Sequence, residues 1–433
     1  MKSINTLNTP YVKEAVSTSG YLIVDIRTPE AYNGWALYGE PRGGHIKGAT
    51  NFPLEWTHYH FELKNLLTEK GIAPERKIVV YGYDAGDAKK FARLLLDAGF
   101  DNVSCYHHFV TEWSPDQELP MHSLARYEQL VSPQWVDDLL EGNRPDHYRG
   151  KDFVIAHAHY DYPRAYLEGH IPGAIALNTS ALEDPVTWNR RPPEELKKTL
   201  TAHGISADTT VILYGKFAFP DNKDPYPGQS AGHLGAMRCA AILLYAGVRD
   251  VKILNGGFSR WENSGYEIST ADEKPEPIAA FGAHIPQHPE YFVDMEEAKA
   301  MIKAEDSELV SIRSWHEITG EVSGYNYIEQ KGRIPGAVFG NCGTDAYHME
   351  NYRNVDHTMR EYHEIEKNWK EYGITPEKHL AFYCGTGWRG SEAFINAYLM
   401  GYPNIAVYDG GWMEWSSHPE NPIATGIPEG YRQ

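Results

Sequence analysis

Near the end of a 433-residue chain, a cysteine opens a glycine-rich run. It reads Cys384-Gly385-Thr386-Gly387-Trp388-Arg389, followed by Gly390 and Ser391. The apolar run HLAFY comes just before it, and SEAFINAYLMGY, with apolar residues at helical spacing, comes after. A loop between strand and helix is where open α/β sheets bind ligands. A helix starting near Ser391 would aim its unpaired N–H groups and positive end at this loop. The glycines let the backbone curl so that further N–H groups turn inward, and Arg389 adds a full positive charge. Such surroundings favour a thiolate. They would also hold a terminal sulfur anion bonded to it. A cysteine buried for structure alone would keep company with Leu and Val rather than Gly and Arg.

The same loop is also a literal G-x-G-x-x-G, with Asp409 near the ribose-binding spacing of a dinucleotide fold. The chain ends too soon after Asp409 for the second half of such a fold. Trp388 and Arg389 also fill the approach with bulk. Of the other cysteines, Cys105 in NVSCY reads as strand core and Cys239 in MRCAAILLYAG as helix core. Cys342, in FGNCGTD, is either an ordinary loop cysteine or a resolving or sulfur-accepting thiol beside Cys384. With no C-x-x-C pair, a zinc ribbon or redox dithiol is not indicated.

The elements that position this loop occur three times. GGHIKGA (43–49) returns as EGHIPGA (168–174) and KGRIPGA (331–337). YLIVDIRT, DFVIAHAHY and ELVSIRSW precede the copies; KIVVYG, TVILYG and HLAFYC follow. An amphipathic stretch and a last apolar run complete each repeat. Short β-rich runs bounded by Gly, Pro or Asp predict buried strands, and the stretches between them predict helices ending in Gly. Their alternation predicts a parallel sheet covered on both faces. Aligned on Tyr81, Tyr214 and Tyr383, the repeats place Gly82 and Gly215 opposite Cys384, so one module of three carries the thiol. Residues 115–130 and 270–290 read as linkers. The loop over 215–238 reads as an ordered excursion.

The formal charge of −19 disfavours a nucleic-acid partner and a polybasic membrane anchor. No stretch has the length of a membrane span and the first residues have no leader-like apolar run. A cytoplasmic protein is expected, or a periplasmic one if a leader has been removed.

These motifs, with the ending Asp409-Gly410-Gly411-Trp412-Met413-Glu414-Trp415, resemble the rhodanese (sulfurtransferase) superfamily over nearly the whole chain. Within it they are closest to three-domain bacterial thiosulfate sulfurtransferases. The resemblance implies an α/β fold of three tandem rhodanese-like modules, at 1–122, 123–272 and 273–433. Each would be a mostly parallel five-stranded sheet with helices on both faces, and only the third would be catalytic. Cys384 would take the outer sulfur of a donor such as thiosulfate, releasing sulfite, and pass it from a persulfide to cyanide or a thiol. Gly385, Thr386, Gly387, Trp388, Arg389 and Gly390 would form the persulfide loop. Arg313 stands where the family places an anion-contacting arginine. A strand-end salt bridge is the alternative, favoured by Arg27 at the same place in a module without the cysteine.

No metal or organic cofactor is implied. The implied partners are a small sulfur-donor anion, a thiol or cyanide acceptor and a sulfur-relay protein. Cys-x4-Arg is tighter than the Cys-x5-Arg of phosphatases with this fold, which favours sulfur over phosphate. Two rivals remain. One is a 3-mercaptopyruvate sulfurtransferase, suggested by Gly385 and Thr386 where rhodaneses proper carry basic residues. The other is a protein-to-protein persulfide carrier for tRNA thiolation or cofactor sulfuration. Trp388 is expected to pack, and Asp409, Trp412 and Trp415 to form a turn and core. An insertion at 341–372 holds His348, His357 and His363 at spacings that match no metal-ligand set. It reads as a loop with solvated histidines, suited to a lid or acceptor surface. Modules one and two are expected to have structural or partner-binding roles.

Overall fold

The computed structural model describes residues 4–58, 63–217 and 232–431. Residues 1–128 form one compact unit and residues 129–433 another. The first unit holds β1 (Asn5–Leu7), β2 (Tyr21–Asp25), β3 (His45–Ile46), β4 (Thr50–Asn51), β5 (Lys77–Tyr81), β6 (Val103–Tyr106) and β7 (Met121–His122). The second holds β8 (Leu130–Val131), β9 (Phe153–His159), β10 (Ile175–Asn178), β11 (Thr210–Tyr214) and β12 (Asp250–Leu254). It continues with β13 (Phe292–Val293), β14 (Ser307–Ser311), β15 (Val338–Phe339), β16 (His379–Tyr383) and β17 (Ile405–Tyr408).

Three five-stranded sheets result, ordered β1-β6-β5-β2-β4, β8-β12-β11-β9-β10 and β13-β17-β16-β14-β15. Every neighbouring pair in them is parallel. Numbered within its own repeat, each sheet has one order: first, fifth, fourth, second, third. The central strands are continuous apolar runs because helices cover both faces of a parallel sheet. The tyrosine that aligns the repeats has a physical job in two of them. At the end of its strand, the Tyr81 hydroxyl accepts the Ile46 N–H at 3.0 Å, and Tyr214 accepts that of Ile171 at 3.0 Å. Strand and repeated Gly-His-Ile segment are thus pinned together.

Two expectations need adjustment. The 341–372 insertion is not all loop: Tyr362–Glu371 is helical. Ile365 and Trp369, one helical turn apart, are buried there, and Trp369 stacks on Phe382 of β16 at 5.2 Å. The helix after the cysteine loop spans Trp388–Met400, starting three residues earlier than expected, with Gly387 as its N-cap. Most of the excursion expected over 215–238 lies outside the described residues. Among the described residues, no helix is long and apolar enough to cross a membrane.

Candidate active site

Cys384 follows the last residue of β16, and the helix starts four residues on. Its side chain is 2% exposed. The first bond of the helix runs from Ser391 N–H to the Gly387 carbonyl at 2.7 Å. The N–H groups just ahead of it have no intrahelical acceptor, so the loop is the positive end of a thirteen-residue helix. Gly387 has φ +92°, a backbone conformation that a residue with a Cβ rarely adopts.

The Asp-Gly-Gly-Trp motif holds the loop from its other side. Trp412 N–H donates to the Cys384 carbonyl at 2.8 Å and Met413 N–H to that of Gly385 at 3.0 Å. Gly411 is required there: a Cβ on it would lie 2.7 Å from the Gly385 oxygen and 2.8 Å from that of Cys384. Trp412 and Trp415 are buried core aromatics.

Arg389 is buried and turns toward a carboxylate. Its Nη1 and Nη2 donate to Glu317 at 2.9 and 2.8 Å. Burial alone would raise the Glu317 carboxyl, but Arg389, Arg313 and the Ser314 N–H hold it at about 2. Arg389 also donates to the Tyr325 hydroxyl, and that oxygen accepts the Gly385 N–H at 2.7 Å. With two N–H groups bonded to its oxygen, Tyr325 has its own proton left to donate. Burial keeps that phenol well above its ordinary pKa, so it is protonated at neutral pH. Arg389 therefore reaches the loop through Tyr325, a residue the sequence reading did not single out.

Cys342 joins this cluster. Arg389 Nη1 lies 3.0 Å from its Sγ, and its thiol donates to the Asp345 carbonyl at 3.3 Å. Burial pushes the Cys342 thiol up to about 12, so it is a neutral thiol. Cys105 and Cys239 lie buried in a strand and a helix. Arg313 is fully buried. It donates to Glu317 at 3.1 Å and to the carbonyls of Gly332 and Ser323 at 2.7 and 3.1 Å. It lies 5.0 Å over the Trp412 ring. The geometry makes it a brace behind Glu317.

The second module also reaches the loop. Trp388 Nε1 donates to both Glu183 oxygens, at 3.1 and 3.0 Å. Arg238 Nε donates to Glu183 at 2.7 Å and its Nη2 to Asp409 at 2.5 Å. Arg190 adds a 2.5 Å bond to Asp409. Above this sits an aromatic group. Trp188 stacks on Tyr160 at 5.0 Å and on Tyr327 at 5.9 Å, and meets Trp388 edge-on at 6.1 Å. Tyr325 and Tyr327 are 5.3 Å apart, and Tyr327 is 42% exposed. Trp188 has φ +63°, a strained position for a bulky residue of the kind that clusters at functional sites.

The insertion's histidines do not converge. His348 bonds Asp345 at 2.7 Å, His357 stacks on Phe217 at 4.2 Å and His363 lies against Tyr362. Among the described residues, no group of three or more His, Cys, Asp or Glu is arranged to hold a metal. In module one, Tyr83 occupies the loop, 5.0 Å under the Arg27 guanidinium and bonded to Glu40.

The rhodanese-like domain family matches residues 8–116, 132–264 and 294–418. The chain belongs to the rhodanese family. It is 40% identical over 408 residues to the thiosulfate sulfurtransferase YnjE of Escherichia coli K12, covering 93% of this chain and 88% of that one. Solved structures are also similar. The anaerobic ergothioneine biosynthesis enzyme from Chlorobium limicola, in complex with its natural substrate trimethyl histidine, is 52% identical. It has a TM-score of 0.96 over 98% of this chain and 100% of that one. An EanB variant with a cysteine persulfide, in a tetrahedral intermediate state with ergothioneine, is 53% identical. Its TM-score is 0.95 over 98% of this chain and 100% of that one. This rhodanese is a sulfurtransferase with three such modules.

Proposed function

We propose that this sulfurtransferase carries a sulfane sulfur on Cys384 and delivers it to the imidazole ring of a trimethylammonium derivative of histidine. The observation that carries this reading is the aromatic group bordering the loop. Tyr160, Trp188, Tyr325, Tyr327 and Trp388 meet within 6.1 Å of one another in a linked set. Clustered aromatic faces are the usual recognition element for a quaternary ammonium. Cyanide or a simple thiol would have no use for such a wall. The near full-length similarity to an enzyme solved with trimethyl histidine supports the same acceptor.

The chemistry runs in two halves. The Cys384 thiolate first attacks a sulfane sulfur, that of thiosulfate or a polysulfide, and expels sulfite or a shorter polysulfide. The imidazole carbon between the two ring nitrogens then bonds to the outer sulfur. The S–S bond breaks, its electron pair returns to Cys384 as thiolate, and the carbon loses its proton to give the thione. The sulfur is reduced and the carbon oxidised, so no external redox partner is needed. The helix N-terminus holds negative charge on sulfur in both halves. The Tyr325 hydroxyl, which accepts the Gly385 N–H at 2.7 Å, keeps a proton to donate at the loop and is suited to bonding an imidazole nitrogen.

The test is incubation with trimethyl histidine and either polysulfide or thiosulfate. A thione product about 32 Da heavier than the acceptor, one sulfur atom, is expected, with the same gain on the Cys384 peptide before acceptor is added. Turnover of cyanide without any thione would overturn the acceptor and leave a general thiosulfate or 3-mercaptopyruvate sulfurtransferase.

A further inference from the structure

Module two has Gly215 where the third has Cys384, yet a fully buried guanidinium from its helix Gly232–Ala246 lies against the cysteine loop. A Cβ placed on Gly387 would sit 3.0 Å from Arg238 Nη1. Arg238 Nε and Nη2 are bonded, to Glu183, Asp409 and the Trp188 carbonyl. Nη1 is buried with no hydrogen-bond partner. An unpaired buried donor is costly, and buried ion pairs are a poor way to gain stability compared with apolar packing. An interface clamp alone would not require either.

We infer that Arg238 is a positioning residue for Cys384, holding the start of the loop helix in place and supplying it with a positive charge from the neighbouring module. It acts at three points. Nη1 abuts Gly387, the residue with φ +92°. Nε orients Glu183, which receives the Trp388 indole N–H. Nη2 fixes Asp409, which heads the Gly-Gly-Trp segment bonded to the Cys384 carbonyl. The inference rests on the reading of Cys384 as nucleophile and makes modules two and three one catalytic body.

The charged and titratable groups around Cys384 come from several elements. Tyr325 and Tyr327 lie on the segment before KGRIPGA, and both feel the Cys384 charge. Arg389 is on the loop helix, paired to Glu317 and touching Cys342. Asp409 follows β17, and Arg238, Glu183 and Arg190 come from module two. Burial raises Glu183 against the pull of Arg238. Removing Arg238 leaves two acidic groups beside the loop with one arginine fewer.

The experiment is the pH dependence of Cys384 alkylation by iodoacetamide in the full chain, read on the Cys384 peptide by mass spectrometry. R238Q should move the midpoint up by about half to one pH unit, the effect of losing a nearby cation. R238K keeps the charge but not the three-pronged contact, and should recover only part of the shift. E183Q removes a negative charge beside the loop and should not raise it. An R238Q chain with wild-type circular dichroism and an unmoved midpoint overturns the inference. If R238Q does not fold, R238K is read in its place: an R238K chain with wild-type circular dichroism, alkylation profile and sulfur-transfer rate overturns the inference, as does an upward shift in E183Q. A wild-type chain that forms no persulfide on the Cys384 peptide when given thiosulfate or polysulfide would strike the reading of Cys384 itself.

Discussion

Replacing Glu317 with Gln tests the charge architecture beneath the loop. The carboxylate is fully buried and accepts from two arginines: Arg389 at 2.8 and 2.9 Å, and Arg313 at 3.1 Å. Its value of about 2, against an ordinary 4.5, corresponds to about 3 kcal/mol of stability at neutral pH. The cost of breaking a buried pair by removing one partner gives about the same figure, 3–5 kcal/mol. At about 1.6 °C per kcal/mol, from about 2.1 cal/mol/K per residue over the unit 129–433, E317Q should lower the melting temperature by roughly 5–8 °C at pH 7. The sign of the pH dependence follows. A carboxylate with a depressed native pKa stabilises fully above its unfolded value and loses that contribution as pH falls toward its native one. The gap between wild type and E317Q should therefore close between about pH 4.5 and 2. Differential scanning calorimetry across that range reads both effects. Melting temperatures within a degree or two at pH 7, or a gap that persists at pH 2, would refute the reasoning.

Two further outcomes are expected. Cys384→Ser should abolish sulfur transfer, while Cys342→Ser should retain it. The serine oxygen can still accept from Arg389, and a thiol pushed to about 12 is a poor nucleophile at neutral pH. A persulfide found by peptide mass spectrometry on Cys342 would show the opposite. Acid should also destabilise the second unit through its buried histidines, a loss that Glu183, its carboxyl raised by burial to about 7, offsets only in part because two rings oppose one carboxyl. Burial holds His159 and His357 at about 4, so each stabilises above its unfolded value of about 6.5 and loses this as pH falls toward 4. The melting temperature should drop between about pH 6.5 and 4; a flat profile there would count against burial of both rings.

What could be read from the sequence follows from how much each signal depends on local pattern. The second, fourth and fifth strands of every repeat are apolar runs and announce themselves. The first and third are mostly two or three residues long and carry no period, so only the sheets reveal them. The Cys384 loop is legible because its chemistry is contiguous: thiol, glycines and helix start within eight residues. The insertion's helix was hidden by its polarity, since Ile365 and Trp369 alone face the core.

The part of the site that was not legible is the part assembled across distance. Arg389 follows the cysteine by five residues, and its place in the sequence makes it a charge on the loop. The fold instead turns it onto Glu317, 72 residues earlier, and passes its influence to the loop through Tyr325, 64 residues earlier. Trp188, Glu183 and Arg238 belong to a repeat whose own loop lacks a thiol, and each looks like ordinary structure in its local sequence. Only the packing of the second module against the third puts them beside Gly387 and Trp388. Module two, without a cysteine at its loop position, still contributes side chains to this site. Its sheet has the same strand order, and its Glu183 and Arg238 bond to Trp388 and Asp409 of the third module. Module one follows a different course, because Tyr83 and Glu40 close over its strand-end arginine.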